Sequence, residues 1–193
     1  MSGASLLSLW RQSSGILYSK LGCKHTLRPD LDFSTVAALG KPTAVVLGAF
    51  PGFSLPIHSA DNEELFFHTK VPERWDGTTD LKFKVCVYLA GAETIGDVFK
   101  LQVSHAHIVC GGEVVPSGVT DVEVQQAVLT DREAQYDAYM LEFAIPAAGM
   151  SVGDKLGLRL RRIAATGTAI DGEIVIFDAN LEYKRDKLGG AWN

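Results

Sequence analysis

The chain is poor in the residues that staple small folds or build metal knuckles. Its three cysteines, Cys23, Cys86 and Cys110, are odd in number and include no C-x-x-C pair. Neither a disulfide framework nor a zinc knuckle is expected, and reduced, partly buried thiols fit synthesis in a reducing cytoplasm. No apolar run approaches the ~18 residues of a membrane helix, so no membrane partner is expected. The start MSGASLLSLWRQSSG has no early Lys or Arg, and Ser8, Arg11 and Gln12 break its apolar run, so a cleavable leader is not expected. Acid is missing from one part of the chain: all 23 acidic residues lie from Asp30 onward, while Arg11, Lys20, Lys24 and Arg28 precede it. A basic leading segment on an acidic body favours docking on an acidic surface.

Catalytic frames are also missing. No G-x-S-x-G occurs, no cysteine sits in a cysteine-protease context, and GKPT at 40 to 43 lacks the phosphate-loop frame. His105-Ala-His107 is the sharpest chemical lead, because histidines two apart on a strand share a face. No histidine follows His107, so the third ligand of a cupin-type metal site is missing. Two exposed strand-end histidines are expected instead. Glu63-Glu64 reads as surface charge, since spacing alone makes no glycosidase pair. Asp76, Asp80, Glu93 and Asp97 could meet at one end of a fold and hold Ca²⁺, but solvated turn acids are the expectation. Arg159 and Arg161 in LRLRRI, with Lys184, Arg185 and Lys187, read as a solvated face or a subunit contact. No aromatic platform interleaves with them, so nucleic acid is not an expected partner.

What is present is alternation. The chain's 193 residues, 47% hydrophobic and 21% charged, suit one core-forming domain. Residues 1 to 42 read as an anchoring arm. Leu6, Leu9, Trp10, Leu17 and Leu21 share a rough helical face weakened by Ser13, Ser14 and Gly15, which predicts a short helix or extended segment. Residues 22 to 43 read as loop. TAVVLGAF reads as a strand covered on both faces, and PGFSLPIH, with two prolines, as an edge strand. In 63 to 70, Leu65 and Phe67 oppose Phe66 and His68. Leu81, Phe83, Val85, Val87 and Leu89 form one face of 81 to 89. Further strands are read at 99 to 103, at 120 to 129, at 139 to 145 and at 156 to 160, with Arg162 near a strand end. In 173 to 183, Val175, Phe177, Ala179, Leu181 and Tyr183 are placed on one face. About nine strands with polar turns and no strand–helix alternation predict an all-β fold, a jelly-roll or Greek-key β-sandwich over residues 43 to 185, with 186 to 193 as a tail. Trp75, in VPERWDGTTD, is expected to cap the open end of the core rather than stack on a sugar.

The stretches KPTAVVLGAFPGFSLPIHSADNEELFFHTKVPERWDG, TDLKFKV, GDVFKLQVS and AQYDAYMLEFAIP, within about 42 to 145, resemble a group of bacteriophage virion structural proteins. That resemblance implies a non-enzymatic jelly-roll protein on the virion, typically decorating the phage head, with no metal or cofactor. The implied partners are the major capsid protein or other virion proteins, with a homo-trimer as the assembly. Attachment would run through the arm, with Leu6, Leu9, Trp10, Arg11, Lys20, Lys24 and Arg28 as candidate partner-binding residues. The alternative is a carbohydrate-binding or receptor-binding β-sandwich module of a phage fibre or tail. It predicts an exposed aromatic row drawn from Trp75, Tyr88, Tyr136 and Trp192. An enzyme on a jelly-roll scaffold ranks last.

Overall fold

Where apolar and polar residues alternate, the chain forms strands whose apolar edge is buried. The computed structural model describes residues 30–33, 42–56, 63–109 and 118–185. Within them lie ten strands: β1 (Asp30–Phe33), β2 (Thr43–Leu47), β3 (Phe50–Leu55), β4 (Glu64–Lys70), β5 (Leu81–Leu89), β6 (Val98–Ile108), β7 (Thr120–Ala127), β8 (Ala138–Ile145), β9 (Lys155–Ile163) and β10 (Ile174–Glu182). They form two sheets, ordered β1-β4-β9-β6-β7 and β2-β3-β10-β5-β8, and every strand pairing is antiparallel. Successive strands β3 to β6 and β7 to β10 pass between the sheets, which is the wiring of an eight-stranded jelly roll. β1 and β2 extend the two sheets on the side of β4 and β3.

The core is the space between the sheets. Leu81, Phe83, Val85, Val87 and Leu89 of β5 meet Leu65 and Phe67 of β4, Phe99, Leu101 and Val103 of β6, and Leu156, Leu158 and Leu160 of β9. Phe83 packs edge-on to Phe67 at 5.3 Å between ring centroids. β8 alternates without a fault, burying Tyr139, Leu141, Phe143 and Ile145. Arg162, on the inward face near the end of β9, is buried. Its guanidinium donates to the carbonyls of Gly172 and Ile170 at 2.7 and 3.2 Å, which satisfies the charge where the core ends.

Four readings of the strands are corrected. First, TAVVLGAF is not one doubly covered strand. Gly48, with φ 57°, and Ala49 turn it into a hairpin, and β2 is an exposed edge strand. A continuous apolar run reads as buried only if neighbours flank it on both sides. Second, β3 lies inside the sheet between β2 and β10. Its Pro51 is tolerated because β10 pairing stops at Phe53↔Ile176, leaving Pro51 unpaired on that side. Third, a bulge between Ile176 and Asp178 shifts the phase of β10. Ile174 and Ile176 point inward with Ala179, Leu181 and Tyr183, whereas Val175 and Phe177 belong to the outer face. Fourth, Asp30–Phe33, read as loop within the arm, pairs with β4. DLDF alternates, but over four residues after a proline the period is too short to register. The candidate arm residues Leu6, Leu9, Trp10, Arg11, Lys20, Lys24 and Arg28 lie outside the described residues, as do Cys23, Cys110, Lys187 and Trp192.

Candidate functional site

The outer face of the β2-β3-β10-β5-β8 sheet carries a row of aromatic rings. Phe50 begins β3, directly after the Gly48-Ala49 turn. Phe177 sits at the β10 bulge, which turns it outward. Tyr88 alternates outward from β5. Tyr136 approaches from the β7–β8 connection. The ring centroids are 5.9 Å apart for Phe50–Phe177, 5.7 Å for Phe177–Tyr88 and 6.0 Å for Tyr88–Tyr136. Two of these contacts are edge-to-face, the favoured geometry for aromatic quadrupoles. The row is open at its ends, with Phe50 60% and Tyr136 49% exposed, while Tyr88 at 5% forms its floor. Burial and then the neighbouring Tyr136 phenol push the Tyr88 hydroxyl pKa up, so it stays a neutral hydrogen-bonding group.

The loop that presents Tyr136 is tightly built. Tyr136 has φ 74°, a left-handed conformation that is an outlier for a bulky side chain. Its N–H donates to the Leu89 carbonyl at 2.8 Å, and the Gln135 amide donates to the Ala90 carbonyl at 2.8 Å. Asp137 accepts from the Ala134 N–H at 2.9 Å. The buried Tyr139 hydroxyl accepts from the Leu129 N–H and donates to the Arg132 carbonyl. The strained backbone is therefore held from both sides.

Beside the Phe50 end the sheet opens. β3 leaves β10 after the Phe53↔Ile176 pair, and a cleft of about 610 Å³ forms there. Phe50, Gly52, Phe53, Phe177 and Ala179 line it, and Leu65 and Phe67 of the opposite sheet form its base. Asp178 is its one charged wall residue and borders the row beside Phe177 with a hydrogen-bonding group, while Asn180 stands opposite Lys84 farther along the face. Cys86 stands opposite Asp178. Burial and then that carboxylate push its thiol pKa up, so it is a poor nucleophile. Farther along the face, Lys84 bridges Glu182 at 2.8 Å and Glu142 at 3.4 Å, and Lys82 meets Glu142 at 2.6 Å. The face thus has an aromatic end and a self-paired charged end.

The outer face of the other sheet is polar and closed on itself. Glu64, Arg161, Gln102 and Glu123 stand in one row across four strands. Arg161 donates to Gln102 at 2.6 Å, and Gln102 donates to Glu123 at 2.9 Å. Lys100 pairs with Glu123. The buried Glu64 lies 3.6 Å from Arg159 and 3.9 Å from Arg161, and Arg159 donates to Ser104 at 3.1 Å. Arg159 and Arg161 are thus engaged by Glu64, Gln102 and Ser104 and do not form a freely solvated basic face.

The other sequence leads separate cleanly. Trp75 is buried and its indole N–H donates to the Thr79 carbonyl at 2.7 Å, so it is the expected corner residue. His105 is not exposed: it shares the inward parity of Phe99, Leu101 and Val103 and is buried, while His107 is half-buried. The four candidate calcium carboxylates lie two by two in the β4–β5 and β5–β6 connections, and each is engaged by partners of its own. Asp76 caps Thr78 and Thr79, Asp80 accepts from Ala147, Glu93 accepts from Asp171 and Gly172, and Asp97 lies in the turn that bonds back to Thr94. Among the described residues no three His, Cys, Asp or Glu side chains converge to hold a metal ion. Of the four aromatics expected in a row, Tyr88 and Tyr136 do meet. Phe50 and Phe177 were missed. EIVIFDANLEY conceals Phe177: residues 175, 177, 179, 181 and 183 keep a period of two without a fault, and only the bulge after Ile176 sets 174, 176, 179 and 181 inward and turns that ring out.

No protein-family model matches the chain, and no curated relative does. The resemblance to virion proteins therefore stands on the sequence stretches alone. Among solved structures, the chain is similar to a carbohydrate-binding module specific for non-crystalline cellulose. The TM-score is 0.50 at 10% identity, over 83% of this chain and 91% of the other. A family 11 carbohydrate-binding module from Clostridium thermocellum, in complex with a β-1,3-1,4-mixed-linked tetrasaccharide, matches with TM-score 0.38 at 10% identity, over 85% and 94%. The first likeness supports the jelly-roll sandwich; the second is too distant to carry argument.

Proposed function

We propose that this chain is a non-catalytic carbohydrate-binding module whose ligand lies on the outer face of the β2-β3-β10-β5-β8 sheet. The observation that carries the reading is the row Phe50–Phe177–Tyr88–Tyr136, exposed at both ends and strained into place at one. A pyranose has an apolar C–H face and a rim of hydroxyls. An aromatic row bordered by Asp178 and a neutral tyrosine hydroxyl offers the matching surfaces. A solved module of similar fold is described as specific for non-crystalline cellulose, which makes soluble β-glucans and cello-oligosaccharides the first probes. The resemblance to virion proteins favours display on a phage fibre or tail, where repeated weak sites add through multivalency.

Calorimetric titration with a panel of soluble oligosaccharides tests the reading. Phe50→Ala and Phe177→Ala should each weaken binding about tenfold, which corresponds to ~1.4 kcal/mol. Tyr136→Asn separates binding from folding, because Asn tolerates the left-handed conformation. It should lower affinity similarly while leaving the unfolding midpoint unchanged or raised. A panel that binds nothing, or variants that bind as well as the parent, would overturn the proposal.

A further inference from the structure

The two sheets have four edge strands among the described residues, and three of them carry charge. β1 has Asp30 and Asp32, β7 has Asp121 and Glu123, and β8 has Glu142. Charges at sheet edges are the usual guard against pairing with another chain. β2, Thr-Ala-Val-Val-Leu, has no charge, no proline and no bulge. Among the described residues, the hairpin it forms with β3 also carries the most exposed apolar side chains. Val46 at 70% and Phe50 at 60% are the two most exposed large apolar side chains among the described residues.

The register shows which backbone groups of β2 have no strand partner among the described residues. A two-residue hairpin with Gly first and φ 57° closes on a hydrogen-bonded pair, here Leu47↔Phe50. Hydrogen-bonded and non-bonded pairs then alternate. Val45 and Thr43 bond to β3, so the N–H and C=O groups of Ala44 and Val46 point away from the sheet. An antiparallel copy of the same strand, centred on Val45, sets Ala44 of one chain opposite Val46 of the other. Four backbone hydrogen bonds form, and the contact is isologous, so it closes as a twofold and does not propagate.

We propose that β2 pairs with β2 of a second copy of this chain, joining two five-stranded sheets into one of ten strands. The twofold stands normal to the sheet, so both aromatic rows come to the same side. Resting on the glycan reading above, this makes the dimer a bivalent binder of one polymer, with the Phe50 ends of the two rows nearest the seam.

Sedimentation velocity and light scattering without glycan test the pairing directly. The full chain should run as a dimer at micromolar concentration. Val46→Lys, which sets a charge in the seam, and Ala44→Pro, which removes an outward N–H while sparing the bonds to β3, should both run as monomers with unchanged unfolding midpoints. Met140→Lys, a charge on the opposite edge of the same sheet, should remain dimeric. A parent that is monomeric or trimeric overturns the pairing, as does a dimer that survives both β2 variants. If the pairing holds, Val46→Lys should lose the extra affinity for long oligosaccharides and keep that for short ones. Glycan binding absent from every protein would sink the functional reading and leave the dimer standing.

Discussion

Single residues in this molecule are held in states that water would not choose. Tyr136 bears a left-handed backbone, a conformation that costs about 1–2 kcal/mol for an L residue with a Cβ. Such cost persists where the surroundings over-determine it, and here the ring it aims lies in the proposed site. His105 is a different case. It is buried on the inward face of β6 and neither ring nitrogen has a hydrogen-bond partner. Burial, and then the charge of His107, push its pKa below the usual 6.5, while Asp121 pulls the other way. The folded state therefore holds the neutral imidazole. A group whose folded pKa is lowered leaves stability intact above the unfolded value and costs stability as pH falls below it. The unfolding midpoint of the parent should hold from pH 8 to 7 and fall progressively below about pH 6.5. His105→Leu, which fits the apolar surroundings, should flatten that slope. An equal slope in the variant would place the acid sensitivity elsewhere.

At the scale of elements, the site depends on one close approach. Gly52 of β3 lies under β10: a Cβ there would meet the Ile176 carbonyl oxygen at 2.6 Å and Val175 Cγ1 at 2.8 Å. The first of these is backbone at the bulge and has no side-chain freedom with which to yield. Gly52→Ala should therefore push β3 from β10 and destabilise the fold by about 1–3 kcal/mol, as overpacking does. Urea denaturation reads the loss of stability, and titration reads the loss of glycan affinity as Phe50 and Phe177 part. This contact also marks where the sequence stopped being legible. β5, β8 and β9 were readable because each keeps one phase and one buried face from end to end. The jelly-roll class followed from those strands and their turns. β10 was misphased because the bulge adds a residue without changing the composition. β2 was read as buried because its residues are apolar, although its exposure is set by how many strands flank it. Tyr88 and Tyr136 could be named as a pair of candidates. Their partners Phe50 and Phe177 could not, since a hairpin and a bulge decide which way those rings face.

For the molecule as a whole, the exposed rings of the proposed site and the corner that closes the fold are different residues, so these two should fail separately. The body is closed at one end by the corner between β4 and β5. Trp75 is buried there and bridges to Arg185 beyond β10, and the Asp76 N–H donates to the Lys184 carbonyl at 2.9 Å. This ties the segment after the last strand to a turn more than a hundred residues earlier. Asp76 fixes the turn itself. Burial pushes its pKa up, but the hydroxyl and N–H of Thr79, the N–H of Thr78 and the Lys184 charge outweigh that and hold it at about 2. A folded pKa lowered from 3.8 adds stability that is present above about pH 4 and lost as pH falls toward 2. Trp75→Ala removes both the plug and its hydrogen bond to Thr79. It should cost about 3–5 kcal/mol, the range for deleting a large buried aromatic, and a domain of ordinary stability, ~5–15 kcal/mol, would be left marginal. Chemical denaturation measures that loss. At a temperature where the Trp75→Ala chain is still folded, its glycan affinity should match the parent's, because Trp75 takes no part in the row. Phe50→Ala should do the reverse, losing affinity at nearly full stability, since its ring is mostly in solvent. If Trp75→Ala abolished binding while folded, the binding surface would have to be sought at the β4–β5 corner instead of across the sheet.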